Sequence, residues 1–318
     1  MKEISNILLA IDGDHDDEAL LAEVETIATV NRASVTVLSI ADPPSPKADR
    51  NVAIYNLQRW ESQIRSRQLD NLSAALTKKG IAVTIEHASG KAYLEIIRKT
   101  LASKYQLVIK PAHKESGILQ LFLGGTDIQL LSLCPEPVWV FQPTANRALQ
   151  KIAVAVDLSP DDAERTALAE NLLNWAKHIG TLVGAEIHVI NIWSLYREAS
   201  LRSEPASSTM IDELLRSKEQ QHRQWLDEML HLVGMGDDQV YTHLVKGNAK
   251  ELIPQIANNL DIDLLIMGTV GRTGAPGFFI GNTADTVLRK VRCSVLAVKP
   301  ENFLTPVKPA TQEIPQSA

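Results

Sequence analysis

Residues 89–110, "SGKAYLEIIRKTLASKYQLVIK", align with residues 246–267, "KGNAKELIPQIANNLDIDLLIM", at a constant offset of 157. Gly90 meets Gly247, Ala92 meets Ala249, Leu107 meets Leu264 and Ile109 meets Ile266. The register runs on without a gap through "GGTDIQLLSLCPEPVWVF" against "GNTADTVLRKVRCSVLAV", pairing Gly124 with Gly281, Thr126 with Thr283 and Val138 with Val295. "NILLAIDGD" also mirrors "KIAVAVDLS", and "ASVTVLSI" mirrors "AEIHVINI", at smaller offsets that imply insertions in the second copy. A chain written twice folds as one unit made twice. Its 318 residues, 45% of them hydrophobic, are enough to give each copy a core of its own.

Within each copy, short β-branched apolar runs alternate with helical patterns, the signature of a parallel sheet built from βαβ crossovers. The second copy predicts strands near 152–156, 186–192, 239–245, 263–267 and 294–298. The first predicts them near 6–11, 35–40, 82–87, 106–110 and 137–141. A helix over 161–179 opens on "SPDD", with Ser159 as cap, Pro160 at the first helical position and Asp161 and Asp162 at the positive dipole end. Another spans Thr209 to Leu232. "QPTANRALQ", residues 142–150, is polar and reads as a linker, which sets domains at 1–143 and 150–300. The proline-rich tail, residues 301–318, is expected to be flexible.

The net charge of −6, with no run of Lys or Arg, argues against a nucleic-acid partner. The N-terminal apolar run is too short for a signal peptide or a membrane span, so a cytoplasmic location without membrane insertion is expected. Cys134 and Cys293 are too few for a disulfide framework.

The chemistry concentrates in "MGTVGRTGAPGFFIGNTAD", residues 267–285, between a buried strand and an amphipathic helix that begins at Asn282 or Thr283. Such a connection leaves the carboxyl edge of a parallel sheet, where ligands bind. Glycines let backbone approach a bound anion closely, and a helix N-terminus offers N–H groups and partial positive charge. A phosphate cradle is the chemistry suggested, resting on backbone donors with the Asn282 amide and Thr283 hydroxyl added. Turn formation alone is the competing reading.

The spacing of Gly268, Gly271 and Gly281, G-2x-G-9x-G on a strand-to-helix connection, resembles the nucleotide-binding motif of the universal stress protein family. The resemblance covers residues 1–300 and is of the tandem two-domain type. It implies two Rossmann-like α/β domains of the adenine nucleotide alpha hydrolase-like kind. Each would hold a five-stranded parallel sheet of order 3-2-1-4-5 with helices on both faces. It further implies a stress-response protein that binds ATP or a related phosphorylated ligand, with or without Mg, in the C-terminal domain. By the same resemblance Asp157 contacts the adenosine part, Ile192 lines the base, Met267 precedes the first glycine, and Gly268, Gly271, Gly281, Asn282 and Thr283 contact ribose and phosphate. Asn282 stands where ATP-binding members usually carry Ser or Thr, which leaves the identity of the anionic ligand open. In the first copy Pro111 and Lys114 replace the first two glycines, so the N-terminal domain is not expected to bind nucleotide through this loop. The last strands, with Val138, Trp139 and Val140 facing Val295, Leu296 and Ala297, are expected by resemblance to pair as an intramolecular pseudo-dimer, and homodimers are plausible in the family.

Other patterns are weaker. "IDGDHDDEA", with Asp12, Asp14, His15, Asp16 and Asp17, lacks calcium-loop spacing and suits a helix start. "HIGT" falls at the end of a helix, where Gly180 reads as a C-cap and His178 as favouring the negative end. Trp60, Trp175 and Trp225 read as core or interface anchors. No nucleophilic triad, zinc spacing or Walker sequence is present, so the expected function is non-catalytic, with no catalytic residue and no protein metal site. The alternatives are a slow ATPase or nucleotide-dependent switch, and a nucleotide-free scaffold or carrier of a lipid- or sugar-linked phosphate.

Overall fold

The structure, a computed structural model, describes residues 3–12, 18–41, 52–112, 123–142, 149–159, 161–198, 208–236, 240–270 and 280–309. It divides into two compact units, one made chiefly of Lys2–Asn146 and the other of Arg147–Arg272 with Gly281–Asn302. The N-terminal unit runs β1 (Asn6–Ile11), α1 (Glu18–Asn31), β2 (Ser34–Ala41), α2 (Val52–Lys78), β3 (Val83–Ser89), α3 (Ala92–Ala102), β4 (Leu107–Pro111), α4 (Gly125–Leu133) and β5 (Val138–Phe141). The C-terminal unit runs β6 (Lys151–Val156), α5 (Ala163–Val183), β7 (Glu186–Trp193), α6 (Ser208–Leu232), β8 (Val240–Lys246), α7 (Ala249–Asn259), β9 (Leu264–Gly268), α8 (Asn282–Leu288) and β10 (Ser294–Val298). Within each unit the strands have the order 3-2-1-4-5 by their own count, with parallel pairings among the described residues and helices on both faces.

Burial follows position in the sheet. The inner strand β9 is apolar and buried up to its final glycine, because helices cover it on both sides. The outer strands β3 and β8 alternate with polar residues and stay half-exposed. The two units share a further device that the repeat alone does not disclose. Gln106 Oε1 accepts the backbone N–H groups of Ser5 and Asn6 at 3.1 and 2.8 Å, tying the start of β4 to the start of β1. Asp263, one repeat later and 2% exposed, does the same for Gln150 and Lys151, both at 2.9 Å.

Gly247 donates its N–H to Trp193 O at 2.8 Å, and Gly90 donates to Ala41 O at 3.1 Å. Their φ angles of 152° and 147° place both where an L side chain is strained. Each lets the chain turn from an outer strand into the next helix, which explains why "SG" and "KG" recur at the same place in the repeat.

Four local expectations are corrected. Helix α5 is capped by Asp162, whose side chain accepts Arg165 N at 3.1 Å, and not by Ser159. Ser159 instead accepts Asp162 N in the preceding turn at 2.9 Å, consistent with an extended bias before proline; Pro160 itself lies outside the described residues. Gly180 is inside α5, and Gly184 takes the left-handed cap with φ 69°. A Cβ at Gly180 would come within 2.8 Å of Ile187, so that glycine serves close helix-to-strand packing. His178, held below the ordinary histidine value by burial, is neutral at pH 7 and does not act as a cation at the helix end. Trp175 is core, Trp225 is half-buried against His222, and Trp60 is 60% exposed, so it is no core anchor.

The expected linker, residues 142–150, lies mostly outside the described residues. Gln142 and Leu149 are buried, and residues 143–148 lie outside the described residues. Of the tail, residues 301–309 are described, with a turn at 301–302, and 310–318 are not. Among the described residues no helix is long and apolar enough to cross a membrane, and no group of three or more His, Cys, Asp or Glu could hold a metal ion.

Candidate ligand site

The sheet register decides which candidate side chains meet. Met267 pairs with Ala155 on one side and Ala297 on the other, and Ala155 pairs with Ile190. Period-two alternation therefore carries Ile192, Met267, Thr269 and Lys299 to one face of the C-terminal sheet, at its carboxyl edge. Ile192 is half-buried, Met267 is buried, and Asp157 follows β6 directly at the same edge. The Asp157 carboxylate is about half exposed and lies 3.8 Å from Arg165 Nη1 of α5. Arg165 also pairs with Asp162 at 2.9 Å, so a guanidinium stands beside this edge.

Of the motif glycines, Gly268 ends β9 and Gly281 caps α8, while Gly271 lies outside the described residues. Gly268 faces away from Met267. A Cβ there would meet Leu168 Cδ2 of α5 at 3.0 Å, so its missing side chain accommodates the helix beneath the sheet. Gly281 donates its N–H to Thr269 O at 2.9 Å, which brings the end of the connection back onto the strand it left. Helix α8 begins at Asn282, as the sequence predicts, with Asn282 exposed and Thr283 half-buried. Its N-cap, Gly281, makes no side-chain capping hydrogen bond.

Lys299, one step past β10, is 5% exposed, and its Nζ donates to Thr269 Oγ1. A buried lysine side chain therefore stands at this edge in addition to the backbone donors that the sequence suggests. Sequence reasoning missed it, although a lysine closing the apolar run "SVLAVK" is the signal that marks it.

The corresponding edge of the N-terminal unit is built differently. Lys110 is fully buried at the Met267 position, and its Nζ lies 3.0 Å from Asp12 Oδ2 and 2.9 Å from Asp127 Oδ1. Asp12 is therefore a member of an ion cluster and more than a helix-start residue. Asp14, His15, Asp16, Asp17 and Lys114 lie outside the described residues.

A second polar cluster sits on β7 and β8. His188 Nδ1 and His243 Nε2 are 3.0 Å apart, with the His188 ring stacked on Tyr241. Burial holds both imidazoles below the ordinary value of 6.5; for His188 the neighbouring His243 adds to it and Glu186 opposes it. Neutral at pH 7, His188 makes no ion pair with Glu186 at 3.6 Å. Deeper in the unit, burial pushes the Cys293 thiol up to about 12, which makes it unreactive.

A family model described as the Universal stress protein family matches residues 3–142 and again 148–299. Universal stress protein E of Salmonella typhi is 26% identical over 322 aligned residues, covering 97% of this chain and 98% of the relative. Its counterpart in Escherichia coli strain K12 is 25% identical with the same coverage. Among solved structures, a functionally unknown protein from Pseudomonas aeruginosa PAO1 has a TM-score of 0.72 at 26% identity, covering 94% of this chain and 93% of that one. A universal stress protein from Archaeoglobus fulgidus has a TM-score of 0.61 at 18% identity, covering 94% of this chain and all of that one, and supports the fold alone.

Proposed function

The chain belongs to the universal stress protein family in both of its halves, and from that premise we propose that its C-terminal unit binds ATP or a related phosphorylated ligand without turning it over, as part of a stress response in the cytoplasm. The observation that carries this reading is the contrast between the two last helices. In the N-terminal unit the Asp127 carboxylate accepts the Gly124 N–H at the start of α4, whereas at the start of α8 the matching Gly281 N–H goes to the Thr269 carbonyl and no carboxylate is recorded on that N-cap. A helix start with no carboxylate on its N-cap keeps its positive dipole end for an external anion. The Lys299 ammonium and the Thr283 hydroxyl add charge and a donor beside it.

In this reading Asp157 and Ile192 hold the adenosine part, Met267 floors the cleft, and Gly268, Gly271, Gly281, Asn282 and Thr283 surround ribose and phosphates. Magnesium would arrive with the nucleotide and use the half-exposed Asp157 carboxylate; Mg²⁺ supplies charge neutralisation for the phosphates. Binding without hydrolysis is part of this proposal, and phosphate release is the measurement that separates it from a slow ATPase.

The test is native mass spectrometry of gently purified full-length protein, followed by calorimetric titration with ATP and magnesium. Expected are a co-purifying nucleotide mass or saturable heat at one site per chain, lost in Gly271→Glu, with no magnesium-dependent phosphate release. An empty spectrum together with no saturable heat would refute the reading; steady phosphate release abolished by Gly271→Glu would replace it with the ATPase.

A further inference from the structure

Lys110 is a fully buried cation inside the apolar strand β4. Besides its ion-pair contacts with Asp12 and Asp127, its Nζ donates to Pro111 O at 2.9 Å, so three oxygens surround the ammonium. Asp127 is fully buried as well. While Oδ1 faces Lys110, Oδ2 accepts the backbone N–H of Gly124 at 3.1 Å at the head of α4. One carboxylate thus bridges a buried ammonium and a helix start, the two partners that an external anion seeks in a protein.

The repeat supplies the comparison. At the offset of 157, Met267 stands opposite Lys110 and Ala284 opposite Asp127. Both are buried, at 3% and 4% exposure, so the same fold closes over this place with no ion pair in it. A lysine and an aspartate taken out of water together are costly to bury, and apolar residues of similar volume often do as well or better. Packing therefore does not require the pair, and its presence in one unit only calls for a separate reason.

We propose that the N-terminal unit carries its own anion: the Asp127 carboxylate occupies the place of a small carboxylate or phosphate oxygen pair at the head of α4, with Lys110 as counter-ion and Asp12 completing the cluster. The N-terminal site is then filled from within and becomes a binding site for a small anion only when Asp127 is removed. This stands whatever ligand the C-terminal unit takes, because it rests on contacts within one unit.

Chemical rescue in the full chain tests it, with formate as the probe because it matches the carboxylate that Asp127→Ala deletes. Asp127→Ala is expected to lower the melting temperature by roughly 10 °C, as loss of one partner of a buried pair does. Sodium formate should recover at least half of that loss, sodium chloride at the same concentration should not, and neither wild type nor Asp127→Asn should respond specifically to formate. Equal effects of formate and chloride on Asp127→Ala would overturn the proposal. The double variant Lys110→Met/Asp127→Ala, which copies the other unit, guards against a single variant that fails to fold. It should melt above Asp127→Ala and ignore formate; a double variant that loses the sum of the two single losses, or does not fold, overturns the proposal as well.

Discussion

Asp263 joins two strands through one oxygen. Its Oδ2 accepts the N–H groups of Gln150 and Lys151, both at 2.9 Å, from a carboxylate that is 2% exposed. Replacing it with alanine deletes two hydrogen bonds to a charged group, each worth about 1.5–3 kcal/mol, and leaves two donors at the entry to β6. Because those amides are part-buried and water reaches them in part, the expected net loss is about 3 kcal/mol. For a unit of this size that corresponds to a fall in melting temperature of roughly 6–12 °C. Asp263→Asn keeps an acceptor of the same shape and gives up only the charge, so it should lose about half as much. Thermal unfolding of the full chain by circular dichroism measures the shift, and hydrogen exchange at the amides of Gln150 and Lys151 localises it. The reasoning fails if Asp263→Ala melts within about 1 °C of wild type, or if the asparagine variant is as damaged as the alanine one.

Gly247→Ala should destabilise the C-terminal unit by about 1–3 kcal/mol, because φ is 152° and the new Cβ would come within 2.6 Å of Leu252 Cδ1; Gly90→Ala should cost less, since its Cβ meets the movable Glu95 side chain at 3.0 Å. Urea midpoints of the two variants check the order. Stability should also fall with acid: burial leads the causes that lower His178, His188, His222 and His243 below the ordinary value of 6.5. The unfolded chain therefore binds more protons than the folded one as pH drops, so their contribution is fully present above about 6.5 and is lost as pH falls through the lower folded values. His243→Gln should flatten the dependence of urea midpoint on pH between 7 and 5, and an unchanged slope would count against the His188–His243 pair as a source of it.

Much of the fold was legible in the residues themselves. A repeat that holds one offset over two strands and two helices dictates two copies of one topology, and buried parallel strands announce themselves as unbroken apolar runs such as "DLLIM" and "SVLAV". The start of α8 was legible too, because glycine followed by Asn and Thr before an amphipathic run is a local signal. Local chemistry misled where two residues of the same kind competed: Gly180 and Gly184 are both glycines near a helix end, and only the packing of Ile187 against one of them decides which carries the turn.

What the linear order could not show are pairings between residues far apart in the chain. Lys110 looks like a polar fault in an apolar strand until Asp12 and Asp127 are brought to it from distant positions. The same holds for Lys299 beneath Thr269, for Asp263 at the head of β6 and for His188 beside His243. Each is a buried polar group, costly alone and tolerated only with a partner. The sequence by itself determined two α/β units and singled out the glycine-rich connection at which a phosphate cradle is proposed. Only the tertiary structure decided that one unit closes this edge with its own ion cluster while the other begins its last helix without a side-chain cap. The physical reason is that burial makes each charge depend on its neighbours, and the crossovers choose those neighbours.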